Sequence, residues 1–255
     1  MPSTHSLPPD PGRRGRPRGS EPDELLSIAR QMFLAHGYAG TTMDAVAAAA
    51  HISKQSLYRD YVSKDALYAA VVRDWVDRGY DAMRPHATDL AHTDDARAGL
   101  LRMARVLQAG LLSPAVLQMR TLIAAQAAQF PDVAADYVTR SWTRNIHTLA
   151  EALLVLADRG LLHLHDPDHV PDPDAEPAPD PAADLAAEQL TWLVVAAPLN
   201  RLTLQAGAHP YPDDQLHALA EQGVTTFLSR YGADRRESDL HRTRGSGSTR
   251  VGRWR

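Results

Sequence analysis

The sequence predicts an all-α chain organised as two helical domains. Three observations predict it. Apolar residues recur at helical spacing through most of residues 22–231. The apolar–polar alternation of a half-buried strand is found nowhere in the chain. Residues that start and stop helices fall at helix-length intervals: Ser53, Ser63, Asp94 or Asp95, and Ser113 followed by Pro114 are starts, and Gly37 and Gly160 are stops.

Residues 1–20 have no apolar period and crowd Arg13, Arg14, Arg16 and Arg18, which reads as a disordered basic arm. Order begins near Pro22, with Asp23 and Glu24 in a favourable first turn. Leu25, Leu26, Ile28, Ala29, Met32 and Phe33 then line one helical face, which Gly37 closes. Thr41-x-x-Asp44 has the form of a capping box, with Thr42 as the alternative cap, ahead of a short alanine-rich helix from Met43 to Ala50. Ser53 caps a third helix, Lys54 to Asp60, and Ser63 a fourth that begins at Lys64 and gathers Leu67, Tyr68, Val71, Val72, Trp75 and Val76 on one side.

The remainder reads as five longer elements. Helices are expected from Asp94 or Asp95 to about Leu112, from Pro114 to about Gln129, and from Pro131–Asp132 as far as Arg159. Residues 166–184 repeat proline and aspartate and read as a disordered acidic loop. Leu185 to about Gln205 follows, with Pro198 as a kink, and Tyr211–Pro212 opens the last helix, ending near Tyr231. The domains expected are thus a basic arm at 1–20, an N-terminal domain at 21–64, a larger helical domain at 65–232, and a disordered tail at 233–255.

Composition removes several classes of function. With 255 residues, 44% of them hydrophobic, the chain can bury a substantial core. There is no cysteine, so disulfides, thiolate metal sites and cysteine nucleophiles are excluded. The net charge of −4 rules out a uniformly basic nucleic-acid binder but not a locally basic module. The longest apolar run, Thr191 to Leu199, is too short to span a bilayer, and the N-terminus lacks the apolar core of a signal peptide. A cytoplasmic protein with no membrane partner is expected. His163, His165, Asp166, Asp168 and His169 cluster in sequence but precede a loop that would not fix them, so no metal and no cofactor is expected.

The informative stretch is Thr41 to Leu67, TTMDAVAAAAHISKQSLYRDYVSKDAL. Two short helices separated by three or four residues, the second polar at its start, form a helix-turn-helix pattern. The first must be small-sided for the second to cross it closely, and Ala45, Ala47, Ala48, Ala49 and Ala50 meet that need. The second must carry apolar residues inward, here Ile52 and Leu57 with Tyr61 at its end. It must also carry short polar residues outward, so that its start can enter a major groove about 12 Å wide. Ser53, Lys54 and Gln55 are the candidates for base contact, Gln55 being suited to adenine. Arg14–Gly15–Arg16–Pro17 resembles the core of an AT-hook, so Arg14 and Arg16 are candidates for minor-groove or phosphate contact.

Residues 23–70 resemble the DNA-binding domain of the TetR family of transcription regulators. The resemblance rests on Ala29, Phe33, Gly37, Tyr38, Thr41, Thr42, Met43, Ala47, Ala50, Ile52, Ser53, Lys54, Leu57, Tyr58, Tyr61, Ser63, Lys64, Ala66 and Leu67, in order. Leu111–Leu112–Ser113–Pro114, Met119–Arg120, Gln129–Phe130–Pro131, Gly160–Leu161–Leu162 and Ala186–Ala187–Glu188–Gln189 resemble the AefR-like branch. The resemblance implies an N-terminal three-helix DNA-binding domain and a larger C-terminal helical domain for ligand binding and dimerisation. It implies phosphate contacts from Tyr58 and Lys64, with Thr42 both capping and touching phosphate, and it adds Tyr61 to the DNA-facing set. Asp60 departs from the pattern and is expected to pair with Arg59 or face away from DNA.

In the larger domain, Met103, Leu107, Met119, Ile123, Trp142, Ile146 and Trp192 are candidates for an effector pocket, whose apolar character favours a hydrophobic small molecule. The last two helices should pair with a second copy through Leu190, Val194, Leu216, Leu219, Phe227 and Leu228. The function expected is a homodimeric regulator of a double-stranded, pseudo-palindromic DNA operator, a repressor released by its effector. Two alternatives stay open: a dimeric helix-turn-helix protein without an effector, and an all-α enzyme. Against the enzyme, none of the familiar catalytic signatures is present.

Overall fold

The computed structural model describes residues 22–165, 179–205 and 211–233. Among these residues every regular element is helical. In chain order they are α1 (Pro22–Gly40), α2 (Met43–Ala49), α3 (Lys54–Asp60), α4 (Lys64–Ala91), α5 (Ala96–Leu111), α6 (Pro114–Gln126), α7 (Pro131–Tyr137), α8 (Arg144–Asp158), α9 (Pro181–Leu204) and α10 (Asp213–Tyr231). The single extended contact among the described residues is an isolated antiparallel bridge between Leu162 and Gly232. No single described helix is long and apolar enough to cross a membrane. Arg14 and Arg16, the acidic stretch up to residue 178, and the tail beyond residue 233 lie outside the described residues.

The chain divides into two compact units after Tyr68, four residues beyond the boundary the sequence suggests. The first is closed by an aromatic cluster. Phe33 and Tyr68 meet edge to face with centroids 5.6 Å apart, and Tyr38 and Tyr68 do so at 5.4 Å. Gly37 interrupts α1 with φ +69°, a left-handed conformation that glycine adopts without steric cost. The chain then turns so that the fully buried Thr41 donates its hydroxyl to the carbonyls of Met32, 3.1 Å, and Gly37, 2.8 Å. Thr41 therefore caps the end of α1 rather than the start of α2. The capping box read at Thr41-x-x-Asp44 does not form: Thr42 is the N-cap of α2, its oxygen accepting from the Ala45 N–H.

The turn between α2 and α3 is a Schellman motif. Ile52 N–H donates to Ala47 O at 3.0 Å and His51 N–H to Ala48 O at 3.2 Å, which satisfies the last carbonyls of α2. The motif needs a left-handed residue, and His51 fills that place with φ +53° where glycine is usual. Ser53 then caps α3 through the Ser56 N–H, 3.0 Å.

The second unit is built on one large core, with a smaller cluster of Leu117, Leu199 and Leu202 beside it. Leu100, Met103 and Leu107 of α5, Ile146, Leu149 and Leu153 of α8, Leu190 and Val194 of α9, and Val224 and Phe227 of α10 all lie in the large core. Gln108, also buried, donates through Nε2 to Val194 O at 3.1 Å and Leu216 O at 2.9 Å, so one amide ties α5 to α9 and α10. Gly223 marks a close approach of α9 and α10: a Cβ there would lie 2.8 Å from Val194 Cγ1 and 3.2 Å from the Leu193 carbonyl oxygen.

Three element boundaries differ from the sequence reading. The acidic loop was expected to reach residue 184, but α9 begins at Pro181. Asp180 caps it through the N–H groups of Ala182 and Ala183, so aspartate serves there as a helix start. Helix α6 stops at Gln126 rather than Gln129. The helix expected across 131–159 is broken by a π-helical turn over Val138–Thr143, which separates α7 from α8.

His51→Gly is expected to raise the stability of the N-terminal unit by up to about 1 kcal/mol, because it relieves the left-handed strain without removing a contact. His51→Val should cost about 1–3 kcal/mol. Thermal unfolding of the two variants beside wild type checks the sign, and a valine variant as stable as the glycine one would contradict the turn assignment.

Candidate nucleic-acid interface

Helix α3 has seven residues, too few to hold its shape alone in water. It is fixed by burial of Leu57, which is fully enclosed; Val46, Ala47 and Ala50 of the preceding segment are buried as well. Ser53, Lys54, Gln55 and Tyr58 are all exposed: helical geometry turns Gln55 and Tyr58 away from Leu57, while Ser53 and Lys54 stand at the open N-terminal end of the helix. Tyr58 presents 41% of its surface to solvent, far more than a core tyrosine would. Thr42, at the start of α2, is exposed as well. The structure thus brings together on the described surface five of the residues expected to face DNA.

Tyr61 and Lys64 are placed differently. Tyr61 is half-buried at the end of α3, its N–H closing on Leu57 O at 2.8 Å. Lys64, also half-buried, turns its ammonium into the protein, donating to Tyr38 O at 2.9 Å and Thr41 O at 3.1 Å with the Tyr38 ring 4.2 Å away. The lysine expected to grip phosphate is in this structure an internal clamp, which ties the α1–α2 corner to the start of α4. Its draw is physical: the corner leaves carbonyls pointing into a partly closed space, and an ammonium satisfies two of them at once. The Tyr38 hydroxyl completes the corner by donating to Asp65, and burial first, then that carboxylate, holds the phenol above its ordinary range. Tyr68 is pushed up to about 12, by burial alone.

The charge of this surface is modest. Residues 22–68 contain five carboxylates and four cations. Arg59 pairs with its neighbour Asp60 at 3.0 Å, as expected for the acidic residue out of keeping with DNA contact. Lys54, at the first position of α3, is held by Asp44 of α2, with Nζ 2.7 Å from Oδ1 and 2.9 Å from Oδ2. The carboxylate raises the lysine's pKa further above its ordinary value. Sequence reasoning missed this pair because Asp44 was assigned to a cap. The signal that could have found it is the facing of two short helices across a four-residue turn, which brings charges ten residues apart together.

In the second unit the expected pocket residues are mostly core. Met103, Leu107, Met119, Ile123 and Ile146 are buried, and Trp142 is half-buried against Trp192, ring centroids 4.7 Å apart. A hollow of about 600 Å³ lies along α9 and α10, lined by Leu185, Glu188, Gln189, Trp192, Leu193, Thr226, Phe227, Arg230 and Tyr231, so Trp192 is the one of the seven that lines it. A second, of about 350 Å³, is lined by Arg105, Gln108, Ala109, Leu112, Ser113, Asp213, Leu216 and His217. Of the expected dimer contacts, Leu190, Val194 and Phe227 belong to the protomer's own core and are corrected on that ground: a side chain at 0–1% exposure has no surface to offer a second copy. Leu216, Leu219 and Leu228 keep partial exposure. Among the described residues no group of three or more histidines and carboxylates is placed to hold a metal ion.

Comparison with known proteins follows this division. The sequence model of the bacterial regulatory proteins of the tetR family matches residues 25–71, and that of the AefR-like transcriptional repressor C-terminal domain matches residues 98–169. The chain is 38% identical over 64 residues to the HTH-type transcriptional regulator TcmR of Streptomyces glaucescens, which is 25% of this chain and 28% of that one. It is 32% identical over 65 residues to the HTH-type transcriptional repressor ComR of Escherichia coli, 26% of this chain and 31% of the other. The matched stretch therefore spans about a third of these relatives' own length. Over the whole fold, a protein of Mesorhizobium loti assigned to the TetR-family transcriptional regulators superposes with a TM-score of 0.72 at 26% identity, covering 82% of this chain and 95% of that one. The flavonoid-responsive regulator FrrA superposes at 0.59 with 23% identity, covering 82% and 95%, and shares the fold. These relatives are transcriptional regulators rather than enzymes. An exposed, Leu57-anchored α3 within residues that match the DNA-binding region of the tetR family, a second match in the helical unit, and a fold shared with a TetR-family regulator make this chain similar to the TetR family of bacterial transcriptional regulators in both units.

Proposed function

We propose that the chain is a cytoplasmic, homodimeric repressor that holds a pseudo-palindromic DNA operator through α3 and releases it when a small hydrophobic effector occupies the second unit. One observation carries the reading. Ser53, Lys54, Gln55 and Tyr58 stand exposed on a short helix whose inward residue, Leu57, is fully buried. In this reading Ser53, Lys54 and Gln55 meet base edges, while Tyr58 and Thr42 position the backbone through phosphate. Repression is supported by the match of residues 98–169 to an AefR-like repressor domain.

A second copy is the natural occupant of the outward face of α9. That helix is apolar nearly all round, and burying one side leaves the other uncovered. Leu185, Trp192 and Leu193 are 53%, 38% and 40% exposed and lie at helical spacing with the exposed Ala196 and Ala197. Small residues there let a partner helix approach closely, and a two-fold axis would set two α3 helices at half-sites about 34–36 Å apart or a multiple of that.

An effector in the second unit is supported by Asn145. Its Nδ2 donates to Ser141 O at 2.8 Å beside the π-helical turn, while among the described residues nothing donates to its buried Oδ1. A buried acceptor without a donor costs about 1–3 kcal/mol, which a ligand hydroxyl or N–H would recover. π-Helical turns often accompany such sites. The ligand must favour the released state by a few kcal/mol to empty the operator.

In a gel shift with the DNA upstream of its own gene, the protein should retard the fragment. Tyr58→Ala should weaken binding to all sequences alike, and Gln55→Ala should relax the choice at one base position; no retarded band at low salt would end this reading. Leu193→Glu should yield a folded monomer by sedimentation, since each leucine buried at the interface contributes about 1.5–3 kcal/mol. Phe227→Asp should lose the fold of the second unit instead, and a Leu193→Glu protein that stays dimeric would refute the α9 interface. Asn145→Leu should keep DNA binding and lose the thermal shift produced by an apolar ligand bearing one donor, whereas an unchanged shift would remove Asn145 from the pocket.

A further inference from the structure

The ion pair between Asp44 and Lys54 stands at the front of the DNA-facing surface. Both side chains are open to water, 64% and 59% exposed, so the pair adds little to stability. Its geometry is nonetheless close: Nζ reaches both carboxylate oxygens, at 2.7 and 2.9 Å, and the Tyr58 ring lies 5.9 Å from the same ammonium. The other cation of α3, Arg59, is engaged by Asp60, and the Lys64 ammonium is turned inward on two carbonyls.

We propose that Asp44 is a specificity-determining residue, an internal counter-charge that stands where a DNA phosphate would and so keeps Lys54 from gripping DNA of arbitrary sequence. The proposal rests on the reading of α3 as the DNA-contacting helix. Binding to arbitrary sequence comes almost wholly from cations neutralising phosphates and releasing their counterions. A lysine that must leave a carboxylate to reach a phosphate delivers no net charge, because the carboxylate it abandons takes up a cation in turn. Lys54 therefore adds nothing to that term while Asp44 is present. At an operator its task is different. An ammonium has three donors, and Asp44 occupies at most two, leaving one for a base edge such as the O6 or N7 acceptors of guanine. The pair thus suppresses the sequence-blind part of binding while holding the lysine at the groove.

The test compares Asp44→Asn with wild type on a short duplex of arbitrary sequence across a salt series. The variant should bind about five- to tenfold tighter at 0.1 M salt, with the slope of log K against log salt steeper by about 0.9, the change due to one further neutralised phosphate. Glu24→Gln removes the same charge from the exposed first turn of α1 and should leave that slope as it is. Asp44→Asn combined with Lys54→Gln should return it to the wild-type value. Wild-type binding with an unchanged slope in Asp44→Asn overturns the proposal, as does an equal steepening in Glu24→Gln, which would reduce the effect to overall charge. If wild type and variant both fail to bind any duplex at low salt, the DNA-binding reading itself falls and the proposal with it.

Discussion

A seven-residue helix cannot stand alone in water, and the surface proposed to face DNA depends on that constraint. Forming a first helical turn is unfavourable, and α3 has fewer than two full turns over which to recover the cost. Everything around it compensates. Leu57 is buried without remainder, Ser53 supplies a cap, the Schellman turn before it satisfies the end of α2, and Lys64 ties down the corner where α1 gives way to α2. Each device uses a group that a solvent-exposed loop would leave to water. The exposed side chains are fixed in direction because the buried ones have one arrangement open to them.

The same economy explains why the surface is not strongly basic. Where a nucleic-acid module relies on charge alone, it carries a clear excess of lysine and arginine. Here the described cations are largely engaged within the protein: Lys54 with Asp44, Arg59 with Asp60, Lys64 with two backbone carbonyls. On the α3 surface, a hold on DNA as proposed would then come from polar side chains and backbone positioned with some accuracy, which favours selectivity over strength. Salt should accordingly affect this surface less than it affects a lysine-rich one.

Much of this was legible in the sequence, and the failures have physical causes. Helical spacing, caps and small residues gave the order of the elements, the helix-turn-helix and the outward set at Ser53, Lys54, Gln55 and Tyr58, because each depends on neighbours a few positions apart. The internal contacts of Lys64 are not legible in the sequence, since its partners, Tyr38 and Thr41, are more than twenty residues away and are backbone carbonyls, which no side-chain pattern announces. Thr41 and Thr42 both stay open as the cap of α2 in the sequence for a related reason: a threonine between two helices can serve either, and the closed turn at Gly37 takes Thr41 and leaves the cap to Thr42. Asp180 was read as part of an acidic loop because composition dominates a window of repeated Asp and Pro, although Asp followed by Pro is also a helix start. The π-helical turn has no residue signature of its own.

The misassigned dimer contacts show the limit most clearly. Helix α9 is apolar nearly all round, so its periodicity does not say which side is inside. Sequence reasoning chose the fullest stripe, Leu190 and Val194, for a second copy, and the protomer had already taken it: α5, α8 and α10 close over those residues. That choice follows from connectivity. The fold must first bury enough surface within one chain to be stable, and the stripe facing its own neighbours is satisfied before any partner arrives. The close crossing at Gly223 shows how far this goes, since α10 approaches α9 nearer than any side chain at that position would allow without movement. What is left for association is the residue of that packing, the less regular stripe of Leu185, Trp192 and Leu193. For an all-round apolar helix, then, the interface is better sought among the residues that internal packing leaves uncovered than among the most hydrophobic ones.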